Sequence, residues 1–214
     1  MKKTVLLDET SQKRFFNPLA KSVLAESVAS ALLSTAPCSL AGFTSFDGAG
    51  IYVLYYTGKH PAYQTLVAKN VHGRFEAPIY VGKAVPAGAR KGNREGDATR
   101  GKALVGRLRN HLQSIRCVDG LEEDAFYFRC LILDELWIPL GESLLIRRYQ
   151  PIWNLLLDGF GNNPLGKGRT NQKPSKWDTF HPGRKRGTSA LITPAESASL
   201  MRDVKAFLKR PMPA

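Results

Sequence analysis

Gly50-Ile51-Tyr52-Val53-Leu54-Tyr55-Tyr56 is an unbroken β-branched and aromatic run, with Gly50 at its head and Gly58 just beyond its end. That composition favours extended backbone. The two-residue period of a strand sends Tyr52, Leu54 and Tyr56 to one face and Ile51, Val53 and Tyr55 to the other. A second short strand, Ile79-Tyr80-Val81, runs into Gly82-Lys83. The connection between the two is long for a hairpin and has room for a helical turn around Tyr63 to Lys69. Leu104, Val105, Leu108, Leu112 and Ile115 then recur near a 3.6-residue period, which predicts a helix over about 102–116. Phe126 to Leu133 reads as a third strand with Phe126, Phe128, Cys130 and Ile132 on one face. A further helix spans about 141–149 and stops before Pro151. The order strand, strand, helix, strand, helix describes a small α+β core.

Helical arms flank this core. Leu19, Val23, Leu24, Val28, Ala31 and Leu32 mark a helix over 17–34, and a last helix covers about 194–209. The division expected is one domain: an arm at 1–47, the core at 48–157, and a basic Gly/Pro-rich loop with a helix at 158–214. At 214 residues and 43% hydrophobic content, a packed core can form and global disorder is excluded. The opening Met1-Lys2-Lys3-Thr4-Val5-Leu6-Leu7 imitates a signal peptide, but Asp8-Glu9-Thr10 interrupts the apolar stretch such a peptide needs. Cys38, Cys117 and Cys130 are widely spaced and odd in number, which argues against a disulfide scaffold or zinc ribbon and for a reducing cytoplasm. His60, His72 and His181 lack metal-ligand spacing.

Charge narrows the partner. The formal net charge is +13 and the pI about 9.9. Nine Lys or Arg fall within 83–116 and seven within 166–186, both segments rich in glycine. A polyanion is the natural partner of such a surface. No run of eighteen apolar residues or long basic amphipathic helix points to a membrane, so nucleic acid is the expected ligand. Gly161-Asn162-Asn163-Pro164-Leu165-Gly166-Lys167 approaches a phosphate-binding loop, but Gly168 stands where the Mg²⁺-binding hydroxyl belongs and Pro164 removes a backbone donor.

Gly50-Ile51-Tyr52 and Tyr80-Val81-Gly82 resemble the two signature triplets of the GIY-YIG nucleases, with Val81 in place of the usual middle Ile. Arg107 and His111, four apart on one helix face, resemble that family's helix Arg and the His that its restriction enzymes add. Glu142, at the opening of the next predicted helix, and Asn154 resemble its metal-binding Glu and later Asn. Gly82-Lys83-Ala84-Val85-Pro86-Ala87-Gly88, Asp158-Gly159-Phe160-Gly161-Asn162, Trp177-Asp178 and His181-Pro182-Gly183-Arg184 extend the likeness toward Type II restriction endonucleases that cut CCGCGG. The resemblance implies a three-stranded antiparallel sheet flanked by helices, a homodimer acting on double-stranded DNA, and a cognate methyltransferase in the host. It implies one Mg²⁺, replaceable by Mn²⁺, on Glu142. Tyr52 would position or deprotonate the water, its anion favoured by Arg107 and the metal, with His111 accepting or orienting its proton. Arg107 would hold the scissile phosphate, Tyr80, Lys83 and Asn154 would orient it, and Lys83 and Arg109 would contact phosphates. Each residue taken alone has an ordinary structural reading. Other readings are a homing or repair nuclease, a tyrosine recombinase with a covalent phosphotyrosine, and a non-catalytic DNA-binding module.

Overall fold

In a computed structural model, residues 20–86, 99, 101–162, 173–184 and 194–210 are described. The elements are α1 (Lys21–Leu33), β1 (Cys38–Ser39), β2 (Gly50–Tyr56), α2 (Gln64–Val67), β3 (Tyr80–Ala84), α3 (Ala103–Arg116), β4 (Phe126–Ile132), α4 (Ile138–Tyr149), α5 (Ile152–Leu155), α6 (Lys176–Phe180) and α7 (Pro194–Leu208). The antiparallel sheet runs in the order β1-β4-β2-β3. It has four strands, not three: Cys38 and Ser39 pair with Phe128 and Tyr127, a two-residue edge too short to leave a sequence pattern.

β2 is central, and all seven of its residues are buried. Its two faces divide the core as the alternation predicts. Tyr52, Leu54 and Tyr56 join Leu104, Leu108 and Ile115 of α3, Trp153 of α5, Trp177 of α6, and Leu200 and Val204 of α7. Ile51, Val53 and Tyr55 join Ala29 and Leu32 of α1 and Ile138 and Leu145 of α4. Each fully buried large apolar side chain contributes about 1.5–3 kcal/mol of burial free energy. The long β2–β3 connection is fastened by Asn70, fully buried, whose Nδ2 donates to Ala77 O at 2.8 Å and Tyr56 O at 3.2 Å, while its Oδ1 accepts from Ala77 N at 2.9 Å.

Three details differ from the sequence reading. α4 starts at Ile138, because Pro139 takes a first-turn position where no backbone donor is needed, so Glu142 lies in the second turn and not at the opening. On α1, Ala31 is exposed and Ala29 takes the buried place; the predicted start at 17–19 lies outside the described residues. On β4, Ile132 is exposed where the strand runs out at the sheet's end, although Phe126 and Phe128 are buried as expected. Most of the glycine-rich loop at 84–101, and the 163–172 and 185–193 parts of the basic segment, lie outside the described residues.

Candidate active site

β2 and β3 carry the two triplets side by side, with Tyr52 opposite Gly82 across the ladder. The pairing explains both glycines. A Cβ on Gly82 would lie 2.4 Å from Tyr52 Oη, and one on Gly50 would lie 2.0 Å from the Leu131 carbonyl oxygen of β4. Tyr52 Oη and His111 Nε2 are 2.5 Å apart, joining β2 to α3. The Tyr80 ring lies 6.3 Å from Tyr52 and 5.2 Å from His111, centroid to centroid. Arg107, one turn before His111, is in hydrogen-bonding contact with both phenols and donates through Nη2 to Gly161 O at 2.9 Å.

In front of these groups is a cleft of about 720 Å³. Tyr80, Lys83, Arg107, Glu142 and Asn154 line it, so five of the predicted residues meet there. Tyr52 and His111 form the layer behind and are almost fully buried. Arg109 is not brought to the cleft: it sits on an exposed part of α3, where the helix turns Gly106, Arg107 and Asn110 inward instead. A smaller hollow of about 150 Å³, between α2, the end of α4 and α7, gathers none of these groups.

Burial dominates the electrostatics of both phenols. Burial pushes the Tyr52 phenol well above its ordinary pKa, and Tyr80 and Glu142 act in the same sense; Arg107 opposes them without prevailing. Tyr80 is raised as well, again by burial first. Both phenols are therefore protonated in the free protein, and the imidazole tautomer sets which way the Tyr52–His111 hydrogen bond runs. Lys83 Nζ meets Glu142 Oε2 at 2.6 Å at the cleft edge, with Glu142 only 19% exposed.

Asn154 lines the cleft and also braces β3. Its Oδ1 accepts from Val81 N and its Nδ2 donates to Val81 O, both at 2.8 Å. The amide is thus spent on holding β3 in place. Arg184, counted above with the phosphate-contacting charges, is a buried strut: its side chain is 4% exposed and its Nε donates to Asp178 Oδ1 at 2.7 Å. His181 is also structural, 2.6 Å from Tyr63 Oη.

Sequence reasoning missed Lys102, Asn110, Asp158 and Asn162, all on the cleft wall. Asn110 follows Arg107 by three on a helix, a spacing that marks a shared face. Asp158 and Asn162 belong to a quoted segment, but nothing in their spacing showed which way they face.

Among the described residues no three His, Cys, Asp or Glu cluster to hold a metal ion, and no helix is long and apolar enough to cross a membrane. No curated protein matches the chain. The family profile of the Eco29kI GIY-YIG domain matches residues 44–208, well over half of the sequence. That stretch holds both triplets, the Arg107–His111 turn, Glu142, Asn154 and the Arg184 strut, and the chain belongs to the Eco29kI GIY-YIG domain family of nucleases.

Proposed function

We propose that this protein is a Type II restriction endonuclease that hydrolyses both strands of double-stranded DNA, as a homodimer, at the palindrome CCGCGG. The observation that carries the reading is the cleft in which Arg107, Lys83, Tyr80 and Glu142 converge, with the Tyr52–His111 hydrogen bond directly behind them. A methyltransferase of the same specificity would protect the host DNA in the cytoplasm.

Phosphodiester hydrolysis needs a deprotonated water, charge neutralisation on the phosphate and help for the leaving oxygen. Arg107 faces the cleft and would bind the non-bridging oxygens of the scissile phosphate, with Lys83 at the rim adding positive charge. Tyr52 Oη passes its proton to His111 Nε2 as it takes one from the attacking water, so the buried phenol carries no net charge for long. Tyr80, on the cleft wall, orients the phosphate. Asn154 acts through β3, keeping Val81 and hence Tyr80 in register.

The donor set fits a hard cation. Mg²⁺ binds through one or two carboxylates and keeps several waters and phosphate oxygens; Glu142 supplies one carboxylate here, and Asp158 lies on the same wall. Mn²⁺ would serve in its place. The ion would neutralise charge on the phosphate and acidify its bound water. Lys83 would give up part of its contact with Glu142 when the ion arrives.

The test is digestion of methylation-free plasmids with and without CCGCGG, in Mg²⁺ and in EDTA, with the mass in solution measured alongside. Discrete fragments from CCGCGG plasmids only, from a dimer, with no cutting in EDTA, are expected. Sequence-independent nicking by a monomer would remove the restriction assignment.

A further inference from the structure

Residues 158–162 form a strap along the cleft, and its three consecutive carbonyls from Gly159 to Gly161 all accept from guanidinium groups. Arg184 Nη2 donates to Gly159 O at 3.1 Å and Nη1 to Phe160 O at 3.0 Å. Arg107 Nη2 takes Gly161 O. Arg184 is itself immobilised by Asp178, by Ser114 Oγ on α3 at 3.3 Å, and by the face of Trp177, whose ring centroid is 4.1 Å from its Cζ. The side chain that this strap delivers is Phe160. Its ring is 1% exposed and packs on Trp153 at 4.5 Å and Trp177 at 5.0 Å. It then lies nearly flat on His111, with centroids 4.5 Å apart and planes 17° from parallel.

A flat contact fixes the tilt of an imidazole in a way that a branched aliphatic side chain does not. The tilt of His111 decides whether Nε2 is aimed at Tyr52 Oη. The imidazole is thus enclosed between its hydrogen-bond partner and Phe160, and the strap is held at one height by two arginines. Gly161 allows the close approach, since a Cβ there would lie 2.2 Å from Tyr80 Oη.

We propose that Phe160 is a positioning residue for the Tyr52–His111 pair, and that Arg184 is the anchor that sets the strap carrying it. The inference rests on the reading of the cleft as a nuclease site. If Phe160 were ordinary core packing, any loss in this aromatic layer would act through stability alone.

Phe126→Leu is the control, because Phe126 is fully buried in the same core and packs on Trp153 at 5.8 Å, but makes no ring contact with Phe160 or His111. The full-length wild type, Phe160→Leu and Phe126→Leu are compared for thermal unfolding, binding of a CCGCGG duplex without divalent ions, and single-turnover cleavage in Mg²⁺ across pH. The proton shared between Tyr52 and His111 is followed by proton NMR. Phe160→Leu is expected to cut about 10- to 100-fold more slowly at a binding affinity within about twofold of wild type. Its pH profile should move and the shared-proton signal should broaden. Phe126→Leu should keep the signal and cut within about threefold of wild type even where it melts earlier. Phe160→Met, which also lacks the flat face, replaces Phe160→Leu should that protein not fold. Wild-type cleavage and signal in the Phe160 variant, or equal losses in both variants, would overturn the proposal. If the wild type cuts no DNA, the function reading falls, while the NMR arm still decides the positioning.

Discussion

Glu142 faces the cleft with one carboxylate oxygen 2.6 Å from Lys83, and its carboxylate is the group that would hold a cation there. Glu142→Gln keeps the shape and a hydrogen-bond acceptor for Lys83 while weakening the ligand. The expected outcome is an intact fold and intact DNA binding with cleavage nearly abolished; wild-type cutting would end the metal assignment. Tyr52→Phe removes the group that trades protons with His111 and should lower the single-turnover rate by about 10²- to 10⁴-fold. DNA recovered covalently attached to tyrosine after denaturing a reaction would instead favour a recombinase. His181 gives a stability prediction. Tyr63 Oη accepts from Trp153 Nε1 at 2.9 Å and so donates its own hydrogen to His181 Nε2, which requires the neutral ring. Burial, with His60 and Arg184 adding to it, lowers the His181 pKa to about 3. The unfolded chain therefore takes up the proton first, so this contribution to stability is complete above the unfolded value of about 6.5 and is lost as pH falls from there toward about 3. Chemical denaturation between these pH values should show a slope of up to about 1.4 kcal/mol per pH unit that His181→Gln removes. The Arg107–His111 pair was legible in the sequence because four residues on a helix share a face. The backbone partners of Asn154 and Arg184 were not, because they lie 73 residues from Asn154 and 24 or 25 from Arg184, and no local period encodes such contacts.

At the scale of elements, the strands and main helices followed from hydrophobic period, and the misreadings occurred where period gives way to other forces. The two residues of β1 are too few to alternate, and the early start of α4 is set by Pro139 rather than by apolar spacing. Described residues of the segment that looks like a loop by composition are part of the core: Trp177 of α6, Phe160 and Arg184 pack together against α3 and α5. Composition saw the Gly, Pro and Arg there, but not that the Arg would be paired and enclosed. Removing one member of a buried ion pair leaves the other uncompensated. Arg184→Ala should therefore destabilise the protein by about 3–5 kcal/mol in urea denaturation, far beyond the effect of an exposed arginine. Register between β2 and β3 is equally demanding. Gly82→Ala places a methyl against Tyr52 and Tyr80, and should suppress cleavage with a smaller effect on DNA binding, measured side by side.

For the whole molecule, the charge excess read from composition points to DNA, but the structure shows that its members are not equivalent. Lys102 lines the cleft and pairs with Asp47 at 2.9 Å, Lys173 pairs with Glu196, and Arg184 is interior. Only charges that reach phosphates release counterions, each contributing about 0.9 to the slope of log K against log salt. Lys102→Ala should reduce that slope by about one, whereas Lys173→Ala should leave it nearly unchanged. The placement of the Arg184 strut also bears on how the protein is made. Ser114 and its partner Arg184 are 70 residues apart, and Tyr63 is separated from His181 by 118. A ribosome adding about 5–20 residues per second leaves several seconds in which the triplets and α3 have been synthesised while the strap still lacks its anchor. During that interval the nascent chain carries the Tyr52–His111 pair without the strap that packs on it. On the proposed reading, an aligned cleft is thus gained only once Arg184 has been made, well after the triplets and α3.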